Sequence, residues 1–473
     1  MYLRKITLRN VKCFQDVTID FSQGAGVRKW TTLFGKNGLG KSTLLQAIGA
    51  VLAGPSALHE LLPVAGGWVR QGAKYGEIEA EILGSEDDFV GNKRRERPYV
   101  LRYIVSGADP KLLPPEIEEK PSVPEFVAWS GDESSKSKEN ITKDRKLLSQ
   151  IAFSESTTGW LACGYGPFRR LTGGAQAADE ILWASRRSAQ FITLFREDAA
   201  LTNATKWLIE LYNLSRDGDQ PSNQALELVK RAIAERLFPD TVTLEVTAKS
   251  AMLRNRMDEP VSFFDLSDGY RSMLALSIDL LRWIVKAFPN SEHPLLCSGV
   301  VVIDEIDAHL HPSWQRTIGD WIRGKFPNIQ FIITTHSPFV AQVATVDETG
   351  EKVTPADFES SASGNIRLTT TPKGVIAEVS TEAAQLLLPD QILQSELFDM
   401  GTLYSPFIEG WLADFENLRS SKRPRSPDEE SRYEQLNLFL ENLPGASSQE
   451  GRKVAKRIRA KLRGAARKIS GLK

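Results

Sequence analysis

One short motif limits what this chain can fold into more than any other feature of its sequence. Residues 35–42 match the phosphate-binding pattern G-x-x-x-x-G-K-[ST] at every fixed position. An apolar stretch (residues 30–34) runs into the first glycine, and a helical pattern (residues 43–48) follows the lysine and serine. The loop therefore lies between a predicted strand and a predicted helix, which is the context that this motif requires. We predict an α/β fold that binds a nucleotide.

The residue types of this loop suit a triphosphate. Gly35, Gly38 and Gly40 allow the backbone to fold into a concave ring whose N–H groups point at phosphate oxygens. The positive end of the following helix adds to that field. Lys41 supplies a full charge for the β- and γ-phosphates, and the Ser42 hydroxyl can bind Mg²⁺. A nucleoside triphosphate and Mg²⁺ are therefore the predicted ligands.

Composition excludes several classes of protein. The 473 residues carry a net charge of -1, so the molecule as a whole does not favour nucleic acid. Three widely spaced cysteines exclude a disulfide scaffold and a zinc module. The first residues contain no long apolar segment of a signal peptide, and no stretch reaches the roughly 18 apolar residues that a membrane helix needs. We expect a cytoplasmic protein that makes no membrane contact.

An apolar strand far downstream of the loop ends in two carboxylates, Asp304 and Glu305. Asp304 at the strand tip can hold Mg²⁺ through its water shell. Glu305, one residue later, can take a proton from the water that attacks the γ-phosphate. Taken alone, the pattern also fits a buried strand that meets a solvated loop. Its combination with the phosphate loop favours the catalytic interpretation.

Two further segments add to this picture. Ser267 and Gly269 stand at the start of a predicted helix, where the hydroxyl, backbone N–H groups and helix dipole could form a second phosphate site. An ordinary N-capping serine is the alternative. His336 follows a second buried strand, residues 329–334, and could donate a hydrogen bond to the γ-phosphate. A structural histidine at the end of a strand is the alternative there.

With these motifs in place, the chain resembles the ATP-binding-cassette (ABC) ATPases of the SMC and RecF type. It is similar to the compact bacterial branch of AAA-family ATP-binding proteins, which includes the ATPase subunits of Septu-like and retron-linked anti-phage systems. The motifs that carry the resemblance are Walker A (35–43), the signature (266–271), Walker B (300–305), the D-loop (306–309) and the H-loop (335–336). The turn at residues 164–166, where the Q-loop of the family is expected, offers no glutamine.

The resemblance implies a set of site residues and two ligands, ATP and Mg²⁺. The nucleotide-binding residues would be Gly35, Lys36, Asn37, Gly38, Gly40, Lys41, Ser42 and Thr43. The signature acting in trans would be Ser267, Asp268 and Gly269, the Mg²⁺ ligands Ser42 and Asp304, and the catalytic residues Glu305 and His336.

The resemblance also implies an assembly. Two heads would enclose two ATP molecules, with the Walker A loop of one copy facing the signature of the other, so we expect at least an ATP-dependent homodimer. In the related defence systems such a switch controls an effector in trans, a nuclease or toxin. The alternative function is a RecF-like DNA-binding ATPase of DNA repair or recombination.

Four segments of the chain are predicted, and they form three parts. The parts are an ATPase head formed by residues 1–108 and 241–345, an inserted loop-rich and helical lobe (109–240), and a helical C-terminal region for partner binding or assembly (346–473). In the lobe, residues 109–143 are expected to be loop-rich, and helices are predicted over residues 179–214 and 223–237. Ser426 is predicted to start a helix in the C-terminal region. The predicted fold class is thus α/β, an ABC-type P-loop ATPase head with a short inserted helical lobe and a helical C-terminal region.

Three weaker features leave alternatives open. Residues 451–469 contain no acidic residue and could form a basic helix that contacts DNA, RNA or a partner protein, or a solvated terminal helix. The arginine pairs 169–170 and 186–187 could line a DNA-facing surface, reach the nucleotide or form exposed ion pairs. His309 and His311 could bind a metal, or could belong to a loop that lies across the dimer interface.

Overall fold

The computed structural model describes residues 1–24, 26–88, 97–107, 109, 112–114, 117, 121, 123–128, 135–154, 158–171, 186–234, 241–255, 257, 259–343, 364–372, 374–382, 384–401, 403–421 and 423–440. The chain divides into two compact units, Met1–Leu386 and Leu387–Lys473. The basic segment 451–469 that we predicted to be a helix lies outside the described residues.

The strands in the described part of the chain all belong to the first unit. They are β1 (Tyr2–Val11), β2 (Phe14–Asp20), β3 (Ser22–Gln23), β4 (Gly26–Val27), β5 (Trp30–Phe34), β6 (Tyr75–Leu83), β7 (Tyr99–Ser106), β8 (Phe126–Ala128), β9 (Leu161–Tyr165), β10 (Thr241–Val246), β11 (Ala251–Asn255), β12 (Pro260–Ser262), β13 (Gly299–Ile303), β14 (Ile329–Thr334), β15 (Asn365–Thr371) and β16 (Gly374–Val379).

The α-helices occur in both units. They are α1 (Lys41–Ala53), α2 (Pro55–Leu61), α3 (Ser135–Ile151), α4 (Arg186–Phe195), α5 (Thr202–Arg216), α6 (Gln220–Ala234), α7 (Asp268–Ala287), α8 (Pro312–Gln315), α9 (Ile318–Lys325), α10 (Pro338–Ala341), α11 (Pro389–Gln394), α12 (Pro406–Ser420) and α13 (Pro427–Leu440). In the described residues, none of these helices combines the length and the apolar character needed to cross a bilayer.

A six-stranded sheet of order β16-β15-β5-β14-β13-β9 carries the phosphate loop. All neighbouring pairs are parallel except β15 and β16. Every residue of β5, β9, β13 and β14 is buried, and α1 packs against the last three of these strands. Burial of parallel strands explains why their sequences are mostly apolar, with buried polar exceptions such as Thr31, Thr32 and Gln330. Because the carboxyl ends of parallel strands meet at one edge, the residues that follow β5, β13 and β14 come together there.

A second, antiparallel sheet has the order β2-β1-β6-β7-β8. Residues along β6 alternate between buried and half-buried, so one face of this strand lies in the core. The turn between β1 and β2 reaches the phosphate loop, where the Cys13 thiol donates to the carbonyl of Leu39 at 3.6 Å. A small sheet, β10-β11-β12, leads into α7.

Two of the predictions for the inserted lobe are corrected. The helix predicted over residues 179–214 is two helices, α4 and α5, because the N–H of Leu201 bonds the carbonyl of Arg170 at 2.6 Å instead of continuing a helical ladder. Residues 179–185 lie outside the described part. Residues 109–143, predicted to be loop-rich, include the first half of α3. Ile141 and Leu148 of that helix are buried one heptad apart, a small apolar face that its charged residues hide in the sequence.

The C-terminal region also differs from prediction. Residues 365–379 were predicted within a helical region, yet they form β15 and β16 and extend the main sheet. β15 pairs in parallel with β5, and the carbonyl of Gly364 accepts from the N–H of Thr32 at 2.8 Å. A run of threonines (residues 369–371) interrupts the apolar alternation and conceals the strand.

In the second unit, the predicted helix start at Ser426 is confirmed. Its N–H donates to the Glu429 carboxylate at 2.8 Å, and its hydroxyl accepts from the Glu429 N–H at 3.2 Å. This reciprocal capping box begins α13.

Candidate phosphate and carboxylate site

The phosphate loop has the backbone that its glycines predict. It connects β5 to α1, with Gly38 at φ 82° and Gly40 at φ 86°, a left-handed conformation that favours glycine. A Cβ atom on Gly40 would also lie 2.4 Å from the Cys13 sulfur, so both conformation and space require glycine there.

Lys41 lies within the concavity of this loop. Its side chain is only 7% exposed, and its Nζ donates to the carbonyl of Gly35 at 2.6 Å and to that of Lys36 at 3.4 Å. Burial lowers the pKa of Lys41, and the negative charges of Asp304, Glu305 and Asp307 oppose that shift. The lysine and the three carboxylates are therefore close enough to interact, as expected for residues at one edge of a parallel sheet.

The acidic pair follows β13 directly and is held by Thr334 at the end of the neighbouring strand. The Thr334 hydroxyl donates to the Asp304 carboxylate and accepts from the Glu305 N–H at 2.7 Å. Asp304 is buried and Glu305 is half-buried. One neutral side chain thus holds the carboxylate of Asp304 and the backbone of Glu305.

Glu305 adopts a left-handed backbone conformation, φ 47°. For a residue with a Cβ atom this conformation costs about 1–2 kcal/mol, and it persists only where neighbouring groups hold it. The Thr334 hydroxyl is one such group. A strained residue beside a phosphate loop indicates a functional position.

The D-loop and H-loop segments meet through Asp307. Its carboxylate accepts from the Thr335 hydroxyl at 2.5 Å and from the N–H of His336 at 3.2 Å. The His336 side chain is exposed. The predicted γ-phosphate contact of His336 is compatible with this placement and stays a prediction.

The signature segment forms the start of α7. Ser267 occupies the N-cap position, but its side chain makes no capping hydrogen bond, so the ordinary capping role is not the one seen here. A Cβ atom on Gly269 would lie 2.5 Å from the carbonyl oxygen of His309, which packs the helix start against the D-loop. The hydrogen bond and charge of Arg271 lower the pKa of Asp268 at this exposed end. Contact of these residues with a nucleotide remains a prediction.

Oxygen donors and amide groups at this edge suit Mg²⁺ and a triphosphate. Ser42 is exposed at the start of α1, and Asp304 ends β13 at the same edge of the sheet. Hydroxyl and carboxylate oxygens are the ligands that Mg²⁺ prefers. Among the described residues no cluster of three His, Cys, Asp or Glu side chains could hold another metal. His311 was one of the two histidines that could bind a metal, and its Nδ1 accepts a hydrogen bond from the Ser313 N–H at 3.3 Å.

Arg169 is a residue whose environment the sequence did not predict. Exposed ion pairs were one of the explanations left open for the two arginine pairs, and this explanation is wrong for Arg169 and Arg187, which are each 2% exposed. Arg187 donates to the carbonyl of Trp160 at 3.0 Å. Arg169 donates to the backbone carbonyls of Asp304 and Glu305, the two residues that we call the acidic turn. Arg170, in contrast, is exposed. The side chain of Arg186 lies outside the described residues.

Two protein families match the sequence. The family described as "AAA ATPase domain" matches residues 1–154. The family described as "AAA domain, putative AbiEii toxin, Type IV TA system" matches residues 128–341. Together these matches include all the motifs of the site.

The curated proteins that are similar to the chain include a Septu protein and a retron ATPase. The Septu protein PtuA of Bacillus mycoides (strain KBAB4) is 27% identical over 351 residues, which are 71% of this chain and 38% of that protein. The retron Vc95 probable ATPase of Vibrio cholerae serotype O1 biovar El Tor is 42% identical over 109 residues, 23% of this chain and 21% of that protein. The chain therefore spans well under half the length of these relatives in the matched regions.

A solved structure, described as the crystal structure of the SmcHead bound to the C-winged helix domain of ScpA, covers 80% of this chain and 98% of its own. The TM-score is 0.47 and the sequence identity is 16%.

Proposed function

Because the chain belongs to the SMC-like P-loop ATPases, on the branch of the Septu and retron ATPases, we propose that it is an ATP-driven conformational switch. The observation that carries the proposal is the edge of the main sheet where Lys41 and Glu305 come together, with Glu305 held in a strained turn. A buried cation beside a positioned carboxylate supports hydrolysis of a phosphoanhydride.

The loop and its lysine bind and orient the phosphates. Backbone N–H groups of residues 35–40 face them, and Lys41 leaves its own loop carbonyls to pair with the β- and γ-phosphate oxygens. Ser42 and Asp304 would hold Mg²⁺, which when bound neutralises phosphate charge.

Glu305 is the general base in this proposal. Its carboxylate accepts a proton from the attacking water, and the fixed backbone keeps that carboxylate in one place. His336, exposed on the neighbouring loop, is proposed to donate to the γ-phosphate. Both roles rest on placement at the same edge of the sheet.

A second copy of the chain is proposed to complete the site. Ser267, whose hydroxyl is not used in capping, and the N–H groups at the start of α7 would face the γ-phosphate of the partner's ATP. Binding of ATP would then close a head-to-head dimer, and hydrolysis would open it.

We propose that this cycle controls an effector in trans, a nuclease or toxin, in anti-phage defence. The similarity to the Septu protein PtuA and the retron Vc95 probable ATPase supports this role. DNA or RNA is a further candidate partner, and cytoplasmic location is part of the proposal.

The test is the oligomeric state with MgATP. Glu305→Gln should bind ATP, hydrolyse it at least about 100-fold more slowly, and accumulate as a dimer in light scattering. Lys41→Ala should neither bind ATP nor pair. Glu292→Gln, an exposed residue that precedes β13 at its other end, is the matched control and should behave as wild type.

Two outcomes contradict the proposal. Full turnover in Glu305→Gln removes the base, and a monomeric Glu305→Gln protein at saturating MgATP removes the dimer. Turnover of the isolated wild-type protein that rises sharply with DNA would favour the RecF-like alternative.

A further inference from the structure

The guanidinium of Arg169 joins two parts of the molecule that act on different nucleotides in the proposed dimer. Its Nη1 donates to the carbonyls of Gly166 and Asp304, both at 2.8 Å, and its Nη2 donates to the carbonyl of Glu305 at 3.0 Å. Its Nε donates to the hydroxyl of Ser272 at 3.2 Å. One planar group therefore contacts the acidic turn and α7 at once.

The contact with Glu305 bears on the strained backbone of that residue. The Glu305 N–H is held by Thr334 at 2.7 Å, and its carbonyl is held by Arg169. The peptide groups on both sides of the left-handed Cα are thus fixed from two directions, so the direction of the carboxylate depends on where Arg169 lies.

The contact with Ser272 reaches the signature. Ser272 is buried in the second turn of α7, the helix whose first residues are Asp268 and Gly269. A helix moves as a rigid rod over one turn, so a displacement of the signature end carries Ser272 with it.

A second link ties the same two parts together. The hydroxyl of Tyr165, at the end of β9, donates to the buried carboxylate of Asp279 on α7 at 3.0 Å. The carbonyl of Tyr165 accepts from the N–H of Asp304 at 2.8 Å. The segment 165–169 therefore contacts both α7 and the acidic turn at two separate places.

Charge adds to the geometry. Burial lowers the pKa of Arg169 to about 10, and the nearby Asp304, Asp307 and Glu305 act against that shift. The group is therefore cationic at neutral pH. In the described part of the chain, Arg169 donates its hydrogen bonds to carbonyl and hydroxyl oxygens. Its positive charge therefore acts on the carboxylates of the acidic turn without a direct hydrogen bond to them.

From these contacts we infer that Arg169 is a positioning residue. When the signature of one protomer engages the ATP of its partner, Arg169 transmits that engagement to Glu305 of the same protomer. Each ATP site is thus activated by the nucleotide bound to the other protomer. The inference rests on the proposed function. It assigns to Arg169 the link between α7 and the acidic turn. Arg169 follows the turn at residues 164–166, where a Q-loop is expected and no glutamine is present.

The experiment compares Arg169→Lys, Ser272→Ala and the control Arg170→Lys, the exposed neighbour. A lysine cannot contact three carbonyls and a hydroxyl together, whereas Ser272→Ala cuts only the link to α7. Turnover per chain is measured against protein concentration, and dimer formation is measured with each change in the Glu305→Gln background. ATP affinity comes from a fluorescent ATP analogue.

We expect kcat to fall by about 10-fold or more in Arg169→Lys and by about 2- to 10-fold in Ser272→Ala. ATP affinity and dimer formation should stay within about twofold of wild type, as should all properties of Arg170→Lys. In Arg169→Lys and Ser272→Ala, turnover per chain should no longer rise with protein concentration as heads pair. A purely structural role would instead weaken affinity, pairing and thermal stability together.

Two results separate this inference from the proposed function. If the Glu305→Gln protein does not pair with MgATP, the proposed function itself fails. If it pairs, and Ser272→Ala hydrolyses ATP in the dimer as fast as wild type, the inference about Arg169 is overturned. Ser272→Ala decides the matter even where Arg169→Lys does not fold.

Discussion

Replacing Thr334 by valine removes the hydroxyl that bonds both the carboxylate of Asp304 and the backbone N–H of Glu305. Thr334 is fully buried at the end of β14; its hydroxyl donates to Asp304 and accepts from the Glu305 N–H at 2.7 Å. Valine has the same branched shape, so the packing of the strand is retained and the change is confined to hydrogen bonding.

The expected size of the effect follows from the groups left without a partner. A buried N–H without its acceptor costs about 1–3 kcal/mol, and the carboxylate loses a further hydrogen bond. We therefore expect Thr334→Val to lower the free energy of unfolding by about 2–4 kcal/mol. If Glu305 also relaxes from its left-handed conformation, which stores about 1–2 kcal/mol, kcat should fall by roughly 5- to 30-fold.

The assay combines urea unfolding with steady-state ATP hydrolysis, and Thr334→Ser is the matched control. Serine keeps both hydrogen bonds and loses only a methyl group, so its kcat should stay within about twofold of wild type. If the valine and serine variants hydrolyse ATP equally fast, Thr334 does not position Glu305, and the reasoning from the strained backbone is refuted.

Two further predictions concern packing and charge. Gly269→Ala should lower stability by about 1–3 kcal/mol and reduce ATP turnover, because a Cβ atom would lie 2.5 Å from the His309 carbonyl oxygen. The control Gly410→Ala, in α12 with open space around it, should stabilise or leave unfolding unchanged, and equal effects of the two would contradict this account. Lys29→Met should raise stability at pH 7. Burial lowers the pKa of Lys29 to about 8, so the unfolded state binds the proton more tightly and wild-type stability rises with pH from about 8 to the ordinary value of 10.5. The advantage of the methionine variant in urea unfolding should therefore shrink across that window, and a constant advantage would show that Lys29 does not titrate as described.

Local signals in the sequence were sufficient for much of the fold. The phosphate loop, the strand at residues 329–334 and the helix that begins at Asp268 depend on apolar periodicity and on residues next to one another, and the structure confirms all three. The roles of the individual site residues stay predictions, although the structure brings Lys41, Asp304 and Glu305 to one edge of the sheet.

Features that depend on distant contacts were not predictable. Arg169 is buried because carbonyls far along the chain, at residues 304 and 305, accept its hydrogen bonds, and nothing in its own neighbourhood shows them. The left-handed backbone of Glu305 is hydrogen-bonded to Thr334 and to Arg169, and both of these residues lie far from it in sequence. Strand β15 was missed because its partner, β5, lies more than 300 residues earlier, and its own threonine-rich sequence gives a weak strand signal.

The pairing of β15 with β5 limits where recombination can exchange the C-terminal region of such a protein. The strand that carries the phosphate loop is flanked on one side by a segment that comes after the last nucleotide motif. A head severed at residue 345 would leave the backbone edge of that strand bare, and bare edges invite aggregation. Recombination that exchanges the C-terminal region should therefore preserve this sheet only where it falls beyond the first compact unit, that is, downstream of Leu386.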